Sequence, residues 1–353
     1  MTKLFSLLSA TIIATTTLAQ SNAPLLPTQV QLPNGWHLTP AGKNIQLGDL
    51  PLNMVVSPSK KYLAITNNGQ STQSIELISV KDDKLVDSIT VAKAWVGLAY
   101  GADDKNIYAS GGNDNVILHY TIENNKLKLS DSLVLGAKWP TKISPAGLAI
   151  DDDKHLIYVV TKEDNSLYVV DITSKQTINR VALPAEAYTC VLSSNKKQLY
   201  ISCWGCGKVL IYNTVSSKID GEIAVGSNPN DLCLNKKGTI LYVANSNDNS
   251  VSVVDLKAMK VIETFNAALY PDAPAGSTTN GVALSADEQT LYIANADNNC
   301  LAVFDVSNPG NSSSKGFIPV GWYPTSVKVV GKKIFVANGK GLSSMANPFG
   351  PNP

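Results

Sequence analysis

Leu241 to Leu256 reads LYVANSNDNSVSVVDL, an apolar run with an aromatic second residue, a polar turn, and a second run in which Val251, Val253 and Leu256 alternate with Ser252 and Asp255. The alternation has the period of a half-buried strand, and Asn and Asp suit the backbone of a tight turn, so the stretch reads as two short strands around a turn. Leu291 to Val306, LYIANADNNCLAVFDV, nearly repeats it. Ile157 to Ile172, IYVVTKEDNSLYVVDI, and Leu199 to Tyr212, LYISCWGCGKVLIY, are looser copies.

The aromatic residue of the first strand marks the register at Tyr62, Tyr108, Tyr158, Tyr200, Tyr242, Tyr292 and Phe335. Successive markers are 46, 50, 42, 42, 50 and 43 residues apart. That is the length of a four-stranded propeller blade, not of a helical or leucine-rich repeat. Seven markers predict an all-β, seven-bladed β-propeller of four-stranded antiparallel blades. No long segment of the mature chain keeps an apolar stripe at helical spacing.

At 353 residues, 44% hydrophobic and 16% charged, the chain is long enough for a sizeable core, here one array and not two domains. A net charge of +1 gives no electrostatic case for nucleic acid or an anionic membrane surface. Lys3, the apolar run Leu4 to Leu18 and the small residues of Thr17-Leu18-Ala19 read as a signal peptide over 1–19, cleaved after Ala19. A membrane anchor is the alternative, but the run is short of the about 20 apolar residues of a span and is broken by Ser and Thr. An exported protein, periplasmic or secreted, is expected, with no membrane span after signal removal. Residues 20–33 form a polar lead-in, 34–338 the propeller and 339–353 a Gly/Pro-rich tail or linker.

The last repeat shows only Ser326 to Val330 and Lys333 to Ala337. Gly35 to Gly48, GWHLTPAGKNIQLG, reads as two strands around a Pro40-Ala41-Gly42 turn. Completion of the seventh blade by these N-terminal strands is therefore expected, leaving no open edge and a monomer.

In an antiparallel meander, the turn between the second and third strands shares a face with the connection to the next blade. Binding groups are expected there, because loops on a rigid scaffold supply most of them. Trp95, Trp204, Trp322 and Tyr323 are the expected apolar contacts, and Asn53, Asp231, Asn280 and Asn338 the polar ones. Backbone preference alone accounts for most of the Asn and Asp in the turns. Calcium is the cation such oxygen-rich loops would suit, yet no turn has EF-hand or RTX spacing, so no cofactor is assigned.

Catalytic signals are thin. His37, His119 and His155 are too far apart for a local zinc pattern, and no nucleophile elbow, phosphate loop or dinucleotide fingerprint occurs, so no catalytic or metal residue is assigned. Cys203-Trp-Gly-Cys206 lies on a strand-turn-strand unit, lacks a second CxxC and is followed by Gly207, not by the His of a haem c site. A cross-turn disulfide in an oxidising compartment is one reading of it. With Cys190, Cys233 and Cys300 the count is odd, which leaves at least one thiol free or paired outside the chain.

LYVANSNDNSVSVVDL and LYIANADNNCLAVFDV resemble the repeats of bacterial exported YVTN-repeat, YncE-like seven-bladed propellers, over nearly all of the mature chain. NGWHLTPAGKNIQLGDLPLNMVVSP, KAWVGLAY, YASGGNDN, LYPDAPAGST, GFIPVGWYPTSV and IFVANGKGL are similar to the propeller half of two-part proteins. In those, an alkaline-phosphatase-superfamily phosphoesterase follows the propeller. That domain lies after the segment equivalent to Gly339 to Pro353, so no metal or nucleophile role passes to any residue here. The first functional expectation is a non-catalytic binding or docking scaffold of the cell envelope, taking a protein or small-molecule ligand. The alternative is a propeller working with such a phosphoesterase. A metal-dependent, lactonase-like hydrolase is the third; it would need acidic residues converging on the channel, and Asp231 with the neighbouring Asn residues is a poor count.

Overall fold

The computed structural model describes residues 30–32, 35 and 37–340. The expected signal peptide, most of the expected lead-in and residues 341–353 lie outside the described residues. Two short strands, β1 (Val30–Gln31) and β2 (His37–Leu38), pair with each other. The first blade is β3 (Pro51–Val56), β4 (Tyr62–Asn67), β5 (Ser74–Ser79) and β6 (Lys84–Thr90). The second is β7 (Leu98–Tyr100), β8 (Asn106–Ser110), β9 (Val116–Glu123) and β10 (Lys126–Val134). The third is β11 (Pro145–Asp151), β12 (Leu156–Thr161), β13 (Ser166–Asp171) and β14 (Gln176–Ala182). The fourth is β15 (Cys190–Leu192), β16 (Gln198–Cys203), β17 (Lys208–Asn213) and β18 (Lys218–Ala224). The fifth is β19 (Pro229–Leu234), β20 (Ile240–Asn245), β21 (Ser250–Asp255) and β22 (Lys260–Asn266). The sixth is β23 (Thr279–Leu284), β24 (Thr290–Asn295), β25 (Cys300–Asp305) and β26 (Ser313–Pro319). β27 (Pro324–Val330) and β28 (Lys333–Asn338) form a two-stranded seventh. The first strands of the blades pack side by side, and β3 meets both β7 and β27, so the array closes into a ring.

Burial explains the sequence pattern better than a half-buried strand does. In the fifth blade β20 and β21 are buried on both faces, while β22 alternates toward solvent. Ser252, read above as a solvent-facing position, is fully buried and accepts a hydrogen bond from Asn245 Nδ2 at 2.9 Å. The alternation of Val and Ser thus separates large from small side chains between stacked blades, and does not separate inside from outside. Apolar clusters join neighbouring blades, as where Tyr158 of the third meets Tyr212 of the fourth edge to face, centroids 6.1 Å apart.

The second strand of several blades ends on a buried polar residue that clamps the hairpin just inside its turn. Asn67 Nδ2 donates to Ser74 Oγ at 2.9 Å and Asn245 Nδ2 to Ser250 Oγ at 3.0 Å, while Ser166 N donates to Thr161 Oγ1 at 2.9 Å. Pairing also corrects one register mark. Tyr108, Tyr158, Tyr200, Tyr242, Tyr292 and Phe335 sit opposite equivalent inner-strand residues, but in the first blade that place belongs to Ala64, opposite Val55. Tyr62 lies two residues earlier and instead donates its hydroxyl to Asn125 Oδ1.

The seam between the last and first blades differs from the expected two-plus-two closure. β2 pairs with β1, residues 43–48 form no strand, and the seventh sheet stays two-stranded among the described residues. The pairing fails because this segment is held by side chains. Ile45 and Leu47 pack on Met54, Leu63, Ile78, Val330 and Phe335, and Gly48 N donates to the buried Glu76 carboxylate at 3.1 Å. The ring is fastened at both rims of the seam. Thr325 Oγ1 donates to Pro51 O at 2.5 Å on one, and Lys333 Nζ to Val80 O at 2.7 Å on the other. The fold also runs two residues past the expected boundary, since Gly339 N donates to Tyr323 O at 2.7 Å and Lys340 N to Trp322 O at 3.1 Å. Ile45→Ala with Leu47→Ala is expected to lower stability by about 2 kcal/mol, as half-buried apolar side chains do, without opening the ring. Urea denaturation with size-exclusion chromatography checks this; oligomerisation of the variant would show that the segment does close an edge.

Candidate functional site

The meander places the second-to-third turns and the inter-blade connections on one face, around the central channel. Where the channel opens, the inner strands come unusually close. A Cβ on Gly97 would lie 2.0 Å from Ala146 O, and one on Gly147 2.3 Å from Thr189 Cα, so these two positions admit only glycine without moving backbone.

Three of the expected polar residues hold this mouth together. Asn53 Nδ2 donates to Val96 O at 2.7 Å, tying the first blade to the second. Asn280 Oδ1 accepts from Asn230 Nδ2 at 2.8 Å, tying the fifth to the sixth. Asp231 accepts from Leu232 N at 3.0 Å through Oδ1 and from Val282 N at 3.1 Å through Oδ2, and the latter oxygen lies 3.8 Å from Lys328 Nζ. Lys328 comes from the seventh blade and reaches past the sixth, so this ion pair spans part of the channel. Buried Asn230 Oδ1 and Ser326 Oγ have no hydrogen-bond partner there. Burial first, then Asp231 and Tyr323, push the Tyr188 phenol above its ordinary value. It stays a neutral hydroxyl beside the mouth. Burial pushes the nearby Cys233 thiol up to about 11, which leaves it protonated and a poor nucleophile at neutral pH.

The aromatic residues stand farther out, on different blades. Trp95 lies under Lys162, whose Nζ is 5.6 Å from the ring centroid. Trp322 and Tyr323 lie under Lys340, at 5.5 and 4.3 Å. Trp204 is half-buried in the turn of the fourth blade, its carbonyl accepting from Asn228 Nδ2 at 3.3 Å. Cys203 and Cys206 flank that turn and are disulfide-bonded, while Cys190, Cys233 and Cys300 are free.

Two concavities accompany these groups. A groove of about 530 Å³ runs along β28, with Trp322, Asn338 and Lys340 at its turn-face end and Met54, Ile78 and Phe335 along its wall. Asn338 Oδ1 is buried there without a partner. A polar cleft of about 310 Å³ lies between the turns of the first three blades, with Trp95 in its wall. The expected residues therefore divide among the channel mouth, the groove, the cleft and an isolated turn. Lys328, Tyr188, Asn230, Asn68 and the lysines over the tryptophans were not singled out from sequence. A lone lysine in the apolar run of β27 was the available signal for Lys328. Among the described residues no group of three or more His, Cys, Asp or Glu side chains is arranged to hold a metal ion, and no helix is long and apolar enough to cross a membrane.

A family model described as lactonase, 7-bladed beta-propeller, matches residues 184–345, which cover the fourth to seventh blades. No curated protein matches the sequence. Among solved structures, the hydrazine synthase of Kuenenia stuttgartiensis superposes with a TM-score of 0.67 at 16% identity, covering 84% of this chain and 95% of that one. The WD40 repeats of RRP9 give 0.67 at 14%, covering 82% and 88%. U3-55K gives 0.68 at 12%, covering 86% and 94%.

The chain is a β-propeller.

At these identities the likenesses speak to fold alone. The propeller has seven blade positions, as the family description and the closed ring agree, and among the described residues the seventh has two strands.

Proposed function

We propose that this propeller is a non-catalytic binding scaffold, exported to the cell envelope, that meets its partner on the turn face. The observation that carries the reading is the pairing of half-buried tryptophans with lysines on that face, Trp95 with Lys162 and Trp322 with Lys340, beside two concavities. Tryptophan is among the residue types that carry most of the binding energy at protein interfaces. The sequence resemblance to two-part proteins supports an envelope phosphoesterase as the protein partner. Export rests on the reading of residues 1–19 as a signal peptide.

A second reading is lactone hydrolysis. The family match supports it, since residues 184–345 contain Asp231 and Lys328, the ion pair of the channel. Against it, both oxygens of Asp231 already serve backbone amides, which ties the carboxylate to the scaffold.

The test is binding of the purified mature protein to phosphoesterases isolated from the same envelope, alongside turnover of gluconolactone. Trp322→Ala and Trp204→Ala are expected to weaken the complex by about 2 kcal/mol each, roughly thirtyfold. Lys175→Ala, in a turn of the opposite face, and Lys218→Ala, at the start of β18 beside such a turn, should leave it unchanged. Loss with the lysine pair alone would move the site to the other face. Gluconolactone turnover abolished by Asp231→Asn would replace the scaffold reading with the hydrolytic one.

A further inference from the structure

The turn of the fourth blade is fastened differently from its neighbours. In the third blade Thr161 and Ser166 bracket a four-residue turn, and Thr161 Oγ1 donates to the carboxylate of Asp164, three residues on. The fourth blade has a turn of the same length between Cys203 and Lys208, and its disulfide joins the same two positions, Cys203 and Cys206. A covalent bond thus stands where the third blade has a hydrogen bond. The usual partner across the hairpin is also changed. Where Ser74, Ser166 and Ser250 take part in the clamps of their blades, Lys208 sends its amine away to Glu222 at 2.6 Å. The disulfide is therefore the side-chain bond that fastens this hairpin inside its turn.

Such a bond opens only by exchange with a thiol, and the two sulfurs differ in access. Cys206 is partly exposed between Gly205 and Gly207, while Cys203 is fully buried. A thiolate arriving from solvent meets Cys206 first. Cys203, once released, has an acceptor for its thiol proton in Ala185 O, 3.9 Å from its sulfur. The free cysteines do not compete for the exchange. Burial pushes the thiols of Cys233 and Cys300 up to about 11 and that of Cys190 up as well, so all three stay protonated. The stabilisation from a disulfide grows with the length of chain it closes, so one spanning three residues serves its own turn more than the ring. Trp204 stands inside that span. Its carbonyl accepts from Asn228 Nδ2 at 3.3 Å, and the next amide, Gly205 N, donates to Glu186 O at 3.1 Å.

We propose that Cys203–Cys206 is a reducible clamp, opened by a dithiol and closed by a disulfide, that holds or releases the turn carrying Trp204. One thiolate of the dithiol attacks Cys206 Sγ, the bond to Cys203 breaks, and Cys203 leaves as a thiolate and is protonated. The second thiolate then displaces Cys206, so two electrons pass to the propeller and the reductant ends as a disulfide. Closure is the reverse. The clamp stands apart from the scaffold reading, and only what Trp204 meets rests on it. Purified propeller is treated with dithiothreitol, labelled with N-ethylmaleimide without denaturant, and mapped by mass spectrometry. Label is expected on Cys206 and also on Cys203, whose burial makes its labelling the mark of an opened turn, and not on Cys190, Cys233 or Cys300. Amide hydrogen exchange over residues 203–208 should speed up by about tenfold, while residues 161–166 of the third blade keep their rate. Cys203→Thr with Cys206→Asp, which transplants the third blade's pair, should hold the slow rate with or without dithiol. Cys203→Ser with Cys206→Ser should exchange at the reduced rate. A bond that resists the dithiol in the native protein, or a reduced turn that exchanges no faster, overturns the proposal. So does a reduced protein whose whole ring unfolds, since the bond would then serve the ring. Reversible opening alongside absent phosphoesterase binding would overturn the scaffold reading and leave the clamp standing.

Discussion

Gly147→Ala is expected to cost about 3 kcal/mol of stability, at the upper end of what overpacking a close-fitted core does. The added methyl would lie 2.3 Å from Thr189 Cα and 2.9 Å from Tyr188 O. Both neighbours are backbone, so no rotamer change can make room. The only relief is to move β11 away from β15. That stretches the hydrogen bond from Gly147 N to Tyr188 O, now 2.9 Å, and opens the cluster that Ala146, Tyr158, Ala187 and Cys190 share. Gly221→Ala is the control. Its Cβ would meet the tip of Met259 at 2.9 Å, a flexible terminus in the turn before β22, and a loss below about 1 kcal/mol is expected. Urea denaturation of both variants checks the pair. Equal losses would mean that strand proximity at the channel is not what limits this position.

Lys196→Met is the second large effect, again about 3 kcal/mol, because it strips the nearest partner from a buried carboxylate. Asp151 ends β11 with no exposed side-chain surface, its Oδ1 3.2 Å from Lys196 Nζ and its Oδ2 3.9 Å from Lys154 Nζ. Lys196 bridges from the fourth blade and also reaches Asp153 at 2.7 Å. Replacing the amine with a methyl thioether keeps the stem's packing and removes the charge. Asp151→Asn in the Lys196→Met background should recover part of the loss, since the unpaired charge is then gone. The bond to Asp153 first, opposed by burial and aided by Asp151, holds the Lys196 amine above its ordinary value of 10.5. Its contribution is therefore fully present below pH 10.5 and is lost as pH rises through the raised folded value. The gap between wild type and variant should stay constant from neutral pH to about 10 and narrow above it. Denaturation midpoints across that range test the sign. A gap that widens at high pH would show that the pair is not the source.

Blade number and strand order were legible because a repeat states the same structure several times, and an aromatic residue inserted between stacked sheets marks each copy. Tyr62 misled by two residues because its ring serves a bond to Asn125 and not the inter-blade slot that Ala64 fills. The seam was misread for another reason. Residues 43–48 have strand-like composition, but composition does not say whether backbone or side chains make the attachment, and here Ile45, Leu47 and the bond to Glu76 do. The face of the expected site followed from topology. Which residues share a pocket did not, since the period encodes height along a strand and not position around the ring. Trp95 and Trp322 are equivalent in loop type and lie in different concavities.

The hairpin clamps have a consequence for how this face can change. Asn67, Thr161 and Asn245 fasten their strands just before the turn begins, by bonds made entirely inside the blade. A turn lengthened, shortened or exchanged beyond the clamp transmits little strain to the ladder behind it. Beyond the clamp each turn is bonded to the connection beside it, Asn249 Oδ1 accepting from Ser277 N and Asn299 Oδ1 from Tyr323 N. The plot open to rewriting or grafting is thus a turn together with its neighbouring connection, while the wheel beneath keeps its shape.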